Sequence, residues 1–159
     1  MVAQPIYDVS GLDLSKPELT LDDIRRINPH RYEFEMLSGI LVVDRDEQLL
    51  VGYKRNSPDD FWVRGHIPGR PLMPGVLQIE CAAQLSSAAF KLFFAEQPEG
   101  FIGFGGVDEV KFRGIVGPED VLFMVVKAVD MRKRRSVFQA QGICNDKLVF
   151  EGTITGMPM

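Results

Sequence analysis

The residues best suited to acid–base chemistry lie in one segment, RGHIPGRPLMPGVLQIECAAQ, which spans residues 64–84. His66 stands in a loop that contains three prolines, and Glu80 follows it by fourteen positions within an apolar run. A neutral imidazole can remove a proton near pH 7, whereas a desolvated carboxyl tends to keep its proton and can donate it. The alternative for the histidine is structural, because its ring could hydrogen-bond the backbone of its own loop.

Glu80 belongs to a polar stripe on an otherwise apolar helix. Gln84, Ser87 and Lys91 follow it at spacings of four, seven and eleven residues, which place all four side chains on one helical face. Two interpretations fit this pattern. The stripe is either the solvated face of the helix, or it lines a cleft in which the Glu80 carboxyl is a candidate general acid.

The start of the same helix offers hydrogen-bond donors. Pro74 has no N–H, whereas Gly75 and Val76 have N–H groups that find no acceptor inside a helix. Gly75 also lets another molecule approach the backbone closely, and a helix N-terminus favours an oxygen that gains negative charge. Together with a histidine base and a carboxyl acid, such donors suit removal of a proton next to a carbonyl, followed by loss of a leaving group.

These groups must be positioned by one long helix and a sheet. The pattern predicts a helix from Gly75 to about Glu96 that is apolar on nearly every face and therefore buried. Segments rich in apolar residues, joined by short polar links, predict about six antiparallel strands. The economical arrangement is an α+β fold in which the sheet wraps around the central helix. We expect residues 1–19 to form an N-terminal arm and residues 20–159 to form a single domain.

Three local signals complete the prediction. TLDDIRRI is typical of a short helix, with Thr20 as its cap and Pro29 beyond its end. The glycine-rich stretch GFGGVDE, residues 103–109, predicts a strand that passes close to the central helix. We interpret His30, in the segment NPHR, as a helix-end or packing residue.

Composition narrows the classes of function. The 159 residues carry a net charge of −4, which argues against a general nucleic-acid binder. Cys81 and Cys144 have no metal-type spacing and indicate a reduced intracellular protein, so we expect a cytoplasmic location and no metal ion. No secretion signal is recognisable. The longest apolar run, residues 75–95, is too polar to insert into a membrane.

The segment GHIPGRPLMPGVLQIECAAQ resembles the central motif of the 3-hydroxyacyl-acyl-carrier-protein dehydratases of fatty acid synthesis. That motif has a Gly-His-Phe-Pro loop, a Pro-Gly-Val helix start and an acidic residue fourteen positions after the histidine. The likeness extends to LTLDDIRRINPHRY and FGGVDEVKFRGIV, and so runs from about residue 19 to residue 155. The resemblance implies the hot-dog fold, a homodimer and a reaction that needs no cofactor.

The resemblance also implies roles at a site that two subunits share. His66 would remove the C2 proton of a (3R)-3-hydroxyacyl thioester. Glu80 of the partner subunit would assist departure of the 3-hydroxyl as water, which gives a trans-2-enoyl thioester. The N–H groups of Gly75 and Val76 would polarise the thioester carbonyl, and Gln84 would help to orient the Glu80 carboxyl.

A few positions add to or depart from the family pattern. Tyr32 corresponds to a tyrosine that can gate the acyl tunnel. Glu33 and Glu35 stand where the family commonly has proline and an apolar residue, and Ile67 replaces the usual phenylalanine after the histidine. The acidic residue at position 80 is a glutamate rather than an aspartate, which favours a simple dehydratase over the dehydratase/isomerase relatives.

The resemblance implies two kinds of partner: an acyl carrier protein, and further copies of the chain in a dimer or a trimer of dimers. A basic turn has two interpretations, as a solvated turn or as part of a docking patch for the acidic carrier protein. The turn consists of Arg132, Lys133, Arg134 and Arg135, and Arg64, Arg70 or Arg113 could extend it. Two other functions stay open, a hot-dog acyl thioesterase and a non-catalytic acyl-chain binding subunit of a lipid or polyketide synthase.

Overall fold

The computed structural model describes residues 3–96 and 100–159. Its regular elements are helix α1 (Leu21–Ile27), a short 3-10 helix (Tyr32–Phe34), strands β1 (Gly39–Asp44) and β2 (Leu49–Arg55), helix α2 (Gly75–Phe93), and strands β3 (Ile102–Phe112), β4 (Val121–Arg132), β5 (Arg135–Cys144) and β6 (Lys147–Pro158). The strands form one antiparallel sheet in the order β1-β2-β4-β5-β6-β3. The predicted α+β fold, with six antiparallel strands and one long helix, is confirmed.

Helix α2 lies against the inner face of the sheet and is buried along most of its length. Leu85 packs so close to β2 that a Cβ placed on Gly52 would lie 3.0 Å from its Cδ1 atom. The helix ends at Phe93, three residues before the predicted end, because Phe94 adopts an extended backbone and stacks its ring on Phe90. Pro98, which the sequence places beyond the helix, lies outside the described residues.

The N-terminal residues cover the outer face of the sheet. Val9 packs into a second apolar cluster with Val51, Val125 and other residues that alternate with those facing α2. The Ile6 N–H donates to Gln141 Oε1 at 2.6 Å, which ties the arm to β5. Strands buried on both faces explain the nearly continuous burial of β2.

Helix α1 directs the following segment across α2. Thr20 and Asp23 form a reciprocal capping box at its start, and Asn28 ends it in an extended conformation. The Asn28 side chain donates to the backbone oxygen of Gln84 at 2.9 Å, which fixes residues 28–36 against the middle of α2.

The two edges of the sheet differ in how they are covered. Strand β1 is bridged by Leu19, which pairs with Ile40, whereas no described strand pairs with the free side of β3. The prediction that the glycines of β3 allow a close approach to the central helix is wrong. A Cβ on Gly103 would instead collide with the Met159 side chain, because these glycines face the C-terminal end of the chain next to β6.

Candidate active site

The His66 ring is held by the backbone of its own loop. Its Nδ1 atom lies 2.7 Å from the backbone oxygen of Leu72, and the backbone N–H of His66 donates to the backbone oxygen of Trp62 at 2.8 Å. Because a carbonyl oxygen only accepts, the Nδ1 atom carries the proton and the neutral ring has its lone pair on Nε2. Ile67 follows with a φ of 63°, an unusual conformation for a β-branched residue that marks local backbone strain.

The start of α2 follows directly on this loop, and no side chain in the described part of the chain caps it. Pro74 occupies the cap position, and the first backbone bond runs from Leu77 N–H to the Pro74 oxygen at 2.9 Å. The N–H groups of Gly75 and Val76 precede that bond and can serve a ligand. The ring of Phe112 covers Gly75 so closely that a Cβ there would lie 2.7 Å from the ring Cζ atom.

The Glu80 carboxyl lies in a cleft of about 280 Å³ between α2 and the ends of β3, β5 and β6. Its Oε1 atom accepts a hydrogen bond from Gln84 Nε2 at 2.8 Å. The same Gln84 amide donates to the Phe34 oxygen at 2.7 Å, and its Oε1 atom accepts from the Met36 N–H at 3.2 Å. Gln84 is therefore fixed on three sides, and it fixes one oxygen of Glu80.

Three of the four residues of the polar stripe on α2 line this cleft. Gln84 is only 2% exposed and Ser87 only 5% exposed, and both line the cleft together with Glu80. Lys91 donates from Nζ to the Ile27 oxygen at 2.5 Å, and burial lowers the pKa of its ammonium group. The positions of Glu80, Gln84 and Ser87 favour the interpretation of the stripe as a cleft lining over that of a solvated helical face.

His30 also faces Glu80, although the sequence alone suggested only a helix-end or packing role. Its Nε2 atom lies 3.6 Å from Glu80 Oε1. Burial lowers the pKa of the His30 ring, Glu80 acts in the opposite direction, and Lys91 and Arg31 reinforce the lowering. The sequence contains one signal that could have indicated a role for His30 at the site: its Pro-His-Arg segment lies within the part of the chain that resembles the family.

Comparison with known proteins identifies the family. The FabA-like domain model matches residues 28–153, which include the segment that crosses α2, the His66 loop and the Glu80 helix. The chain belongs to the FabA-like family.

Among its relatives is the 3-hydroxyacyl-acyl-carrier-protein dehydratase FabZ of Natranaerobius thermophilus, which is 39% identical over 85% of this chain and 94% of the relative. The FabZ of Koribacter versatilis is 33% identical over 89% of this chain and 90% of that protein. A chain of the dehydratase heterocomplex ApeI:P from Xenorhabdus doucetiae matches with a TM-score of 0.73 at 15% identity, over 86% of this chain and 90% of that one. At that identity, the structural likeness establishes the fold alone.

Within one chain of this FabA-like protein, the two acid–base candidates are held apart. No hydrogen bond or ion pair between described residues joins His66 to Glu80: His66 bonds to its own loop, and Glu80 contacts Gln84 and His30. Val76 lies one turn before Glu80 on the same face of α2 and is exposed. The face on which Glu80 lies is therefore open towards the start of the helix.

Tyr32 does not line the Glu80 cleft of its own chain. It is 86% exposed, has a φ of 59° and lines a separate polar cleft with Glu33, Glu35 and Phe61, among others. Gating of the acyl tunnel by Tyr32 therefore stays a prediction, and in this conformation the ring stands outside the cleft that holds Glu80.

Features of the FabA-like chain outside the two acid–base groups give no sign of a second reactive site among the described residues. Burial raises the pKa of the Cys81 thiol to about 12, so this thiol is a poor nucleophile. Residues 3–96 and 100–159 contain no group of three or more side chains that could hold a metal ion. None of the helices in these ranges is long and apolar enough to cross a membrane. In the basic turn, Arg132 and Arg135 pair with Asp130.

Proposed function

We propose that this protein dehydrates (3R)-3-hydroxyacyl thioesters carried on acyl carrier protein to trans-2-enoyl thioesters, in fatty acid biosynthesis. The observation that carries the proposal is the pair of half-sites in one chain. One is a histidine whose Nε2 atom has no hydrogen-bond partner among the described residues, in the loop before a helix start that no described side chain caps. The other is a carboxyl oriented in a cleft. The FabZ relatives, which are named for this reaction and match over most of their length, support it.

Proton removal belongs to the His66 half-site. The Nε2 atom takes the proton from C2 of the substrate, and the electron pair of that C–H bond delocalises onto the thioester oxygen. The N–H groups of Gly75 and Val76 donate to that oxygen as its negative charge grows. The hydrogen bond from Nδ1 to the Leu72 oxygen stabilises the imidazolium that results.

Loss of water belongs to the Glu80 half-site. The carboxyl donates its proton to the 3-hydroxyl, the C3–O bond breaks, and the electron pair from C2 forms the double bond. Because Gln84 occupies the Oε1 atom, the proton that is transferred resides on Oε2. The His66 imidazolium then releases its proton to solvent, and the Glu80 carboxylate takes one up from solvent, so that both groups return to their starting states.

The complete site requires a second copy of the chain. His66 does not meet Glu80 within one chain, so the histidine works with the partner subunit's Glu80. The free edge of β3 offers unpaired backbone groups to a second β3 strand. Exposed apolar side chains beside this edge would be covered by the partner: Phe101, Phe104 and Phe112. The dimer is the smallest active unit, and light scattering distinguishes it from a trimer of dimers.

The carrier protein docks beside the His66 loop. Arg64 and Arg70 flank the histidine, are exposed, and form no ion pair with any described residue. Arg132 and Arg135 are paired with Asp130, which makes the 132–135 turn the poorer docking site. Attraction between arginines and an acidic carrier mainly raises the association rate, so this rate falls with added salt. A cytoplasmic location suits two free, buried cysteines and a carrier-bound substrate.

The test is incubation of the protein with a (3R)-3-hydroxyacyl thioester of acyl carrier protein, followed by separation of the products. We expect a 2-enoyl thioester, and we expect its formation to fail in Glu80→Gln. Release of free thiol without an enoyl product would instead establish a thioesterase. Tight binding of the acyl carrier with no product would establish a non-catalytic binding subunit.

A further inference from the structure

We infer that His30 is a positioning residue, which holds the Glu80 carboxyl in the orientation that donates a proton. The inference rests on the proposed function, because it concerns the acid of that reaction. It starts from a contact between two groups fifty residues apart in the sequence: His30 Nε2 and Glu80 Oε1, separated by 3.6 Å.

Both neighbours of the carboxyl approach the same oxygen. Gln84 Nε2 donates to Glu80 Oε1 at 2.8 Å, and His30 Nε2 lies 3.6 Å from the same atom. No hydrogen bond to Oε2 is formed by any described residue. With Oε1 bonded to Gln84 and approached by His30, Oε2 is the oxygen left to meet the substrate hydroxyl in the cleft. Oε1 serves as acceptor whether the carboxyl is protonated or not, so this arrangement persists through the proton transfer.

The backbone at His30 is held firmly enough to position a ring. The Arg31 guanidinium donates to the His30 oxygen at 2.7 Å and to the Asn28 oxygen at 2.9 Å. Its second amino group donates to the Arg25 oxygen at 2.9 Å, at the end of α1. The Asn28 side chain is bonded in turn to the backbone of Gln84. The segment that carries His30 is thus connected to α1 and to α2.

The surroundings of the ring determine its protonation state and tautomer. The charged groups that face it are Glu80 and Lys91 from α2 and Arg31 from its own segment. Its Nδ1 atom is buried and has no hydrogen-bond partner among the described residues. A proton on Nε2 meets the carboxyl and leaves only a lone pair buried, whereas a proton on Nδ1 would bury an unsatisfied donor and turn a lone pair towards Glu80.

A neutral donor suits the task of Glu80. An imidazolium beside the carboxyl would strongly favour its ionised form and oppose proton donation. A neutral N–H orients the group with a much weaker preference for the carboxylate. The predicted consequence of losing this contact is a lower kcat with little change in KM, because the contact acts on the proton transfer rather than on substrate binding.

Two amide variants separate the roles of the ring. In His30→Gln the amide nitrogen can take the position of Nε2, whereas in His30→Asn it reaches only the position of Nδ1. With a (3R)-3-hydroxyacyl thioester, we expect His30→Gln to stay within about threefold of the parent in kcat. We expect His30→Asn to lose about tenfold or more, because its shorter amide cannot reach the Glu80 carboxyl. KM should change by less than about twofold in both variants.

The pH profile supplies a readout that a merely structural role would not move. Loss of the donor near Glu80 disfavours its carboxylate form. The alkaline limb of the kcat profile should therefore shift to higher pH in His30→Asn and stay in place in His30→Gln. The acid limb of the profile should remain where it is in both variants. Thermal unfolding of each variant accompanies the kinetics.

The outcomes distinguish this inference from the function on which it rests. An inactive parent protein would overturn the proposed function. An active parent whose His30→Asn variant keeps the same kcat and pH profile would overturn the positioning role. If His30→Asn does not fold, His30→Gln decides, since a folded His30→Gln variant with a tenfold lower kcat would show that the Nε2 donor is not what matters.

Discussion

The two halves of the proposed site are built in opposite ways. The side chain of His66 makes a hydrogen bond to a carbonyl only six residues further along, within an exposed loop. Glu80 is held by Gln84, which reaches across about fifty residues of sequence to the backbone of Phe34 and Met36. The base is thus held by contacts within its own loop, whereas the acid is held by contacts between segments far apart in the sequence.

This difference predicts how closely the activity of each residue is coupled to the stability of the fold. The His66 ring needs only its loop, and its removal should affect the reaction but leave the fold intact. The orientation of Glu80 depends on hydrogen bonds that also join the 28–36 segment to α2, so that stability and activity are coupled there. The following changes test that contrast.

The largest effect is expected for His66→Ala. Loss of the base should lower kcat/KM by about 10²- to 10⁴-fold. The free energy of unfolding should fall by less than about 1 kcal/mol, because one partly exposed hydrogen bond is lost. Steady-state kinetics and urea unfolding measure the two quantities. Asp59→Ala is a control at an exposed position before the loop, where the carboxylate makes no hydrogen bond with a described residue. A His66→Ala variant as active as the control would refute the role of the base.

A mixture of two inactive variants tests whether the halves meet across subunits. His66→Ala and Glu80→Ala dimers, unfolded together and refolded, should form mixed dimers in which one of the two sites has both native residues. Random pairing then restores about a quarter of the parent activity. Each variant refolded alone is the baseline. If mixed dimers form, as mass spectrometry can verify, and no activity returns, the sites lie within single chains.

Local signals in the sequence were sufficient for most of the elements. Proline before Gly75, the stripe that contains Glu80 and the polar links between strands each reflect a rule that acts over a few residues, and each prediction agrees with the structure. The helix end was placed too late, because Phe94 leaves the helix to pack on Phe90 although no proline or glycine stands there.

Contacts between residues far apart in the chain could not be predicted from the sequence. Gln84 was expected to orient Glu80, but its own anchors lie in a segment without periodicity, so no spacing rule connects them. His30 was assigned to packing for the same reason. The glycines of β3 were assigned to the wrong neighbour, since a glycine indicates a close approach without indicating to what.

A smaller effect on the reaction, joined to a loss of stability, is expected for Gln84→Leu. The change removes the donor to Glu80 and leaves the Phe34 oxygen and the Met36 N–H without their partner. We expect kcat to fall by about 10- to 100-fold and the free energy of unfolding by about 1–3 kcal/mol. Kinetics and urea unfolding again provide both readouts.

The stability control for this variant is Gln78→Leu, on the same helix. Gln78 is 3% exposed, as against 2% for Gln84, and its Oε1 atom has no hydrogen-bond partner among the described residues. Its replacement should therefore cost less free energy than that of Gln84. Equal losses in the two variants would mean that the Gln84 hydrogen bonds do not couple the acid to the fold.

The smallest effect concerns the pH dependence of stability, which should involve His30 beside Glu80. Burial lowers the pKa of His30 in the folded protein below its ordinary value of 6.5. As the pH falls through about 6.5, the unfolded chain takes up a proton at His30 more readily than the folded protein does, so acid favours unfolding. The parent should therefore lose more stability between about pH 7 and pH 5 than His30→Gln does. The comparison is made by urea unfolding at both pH values, with His66→Gln as the matched histidine variant. Parallel losses in the parent and in His30→Gln would show that burial of this ring contributes nothing to the acid sensitivity of the fold.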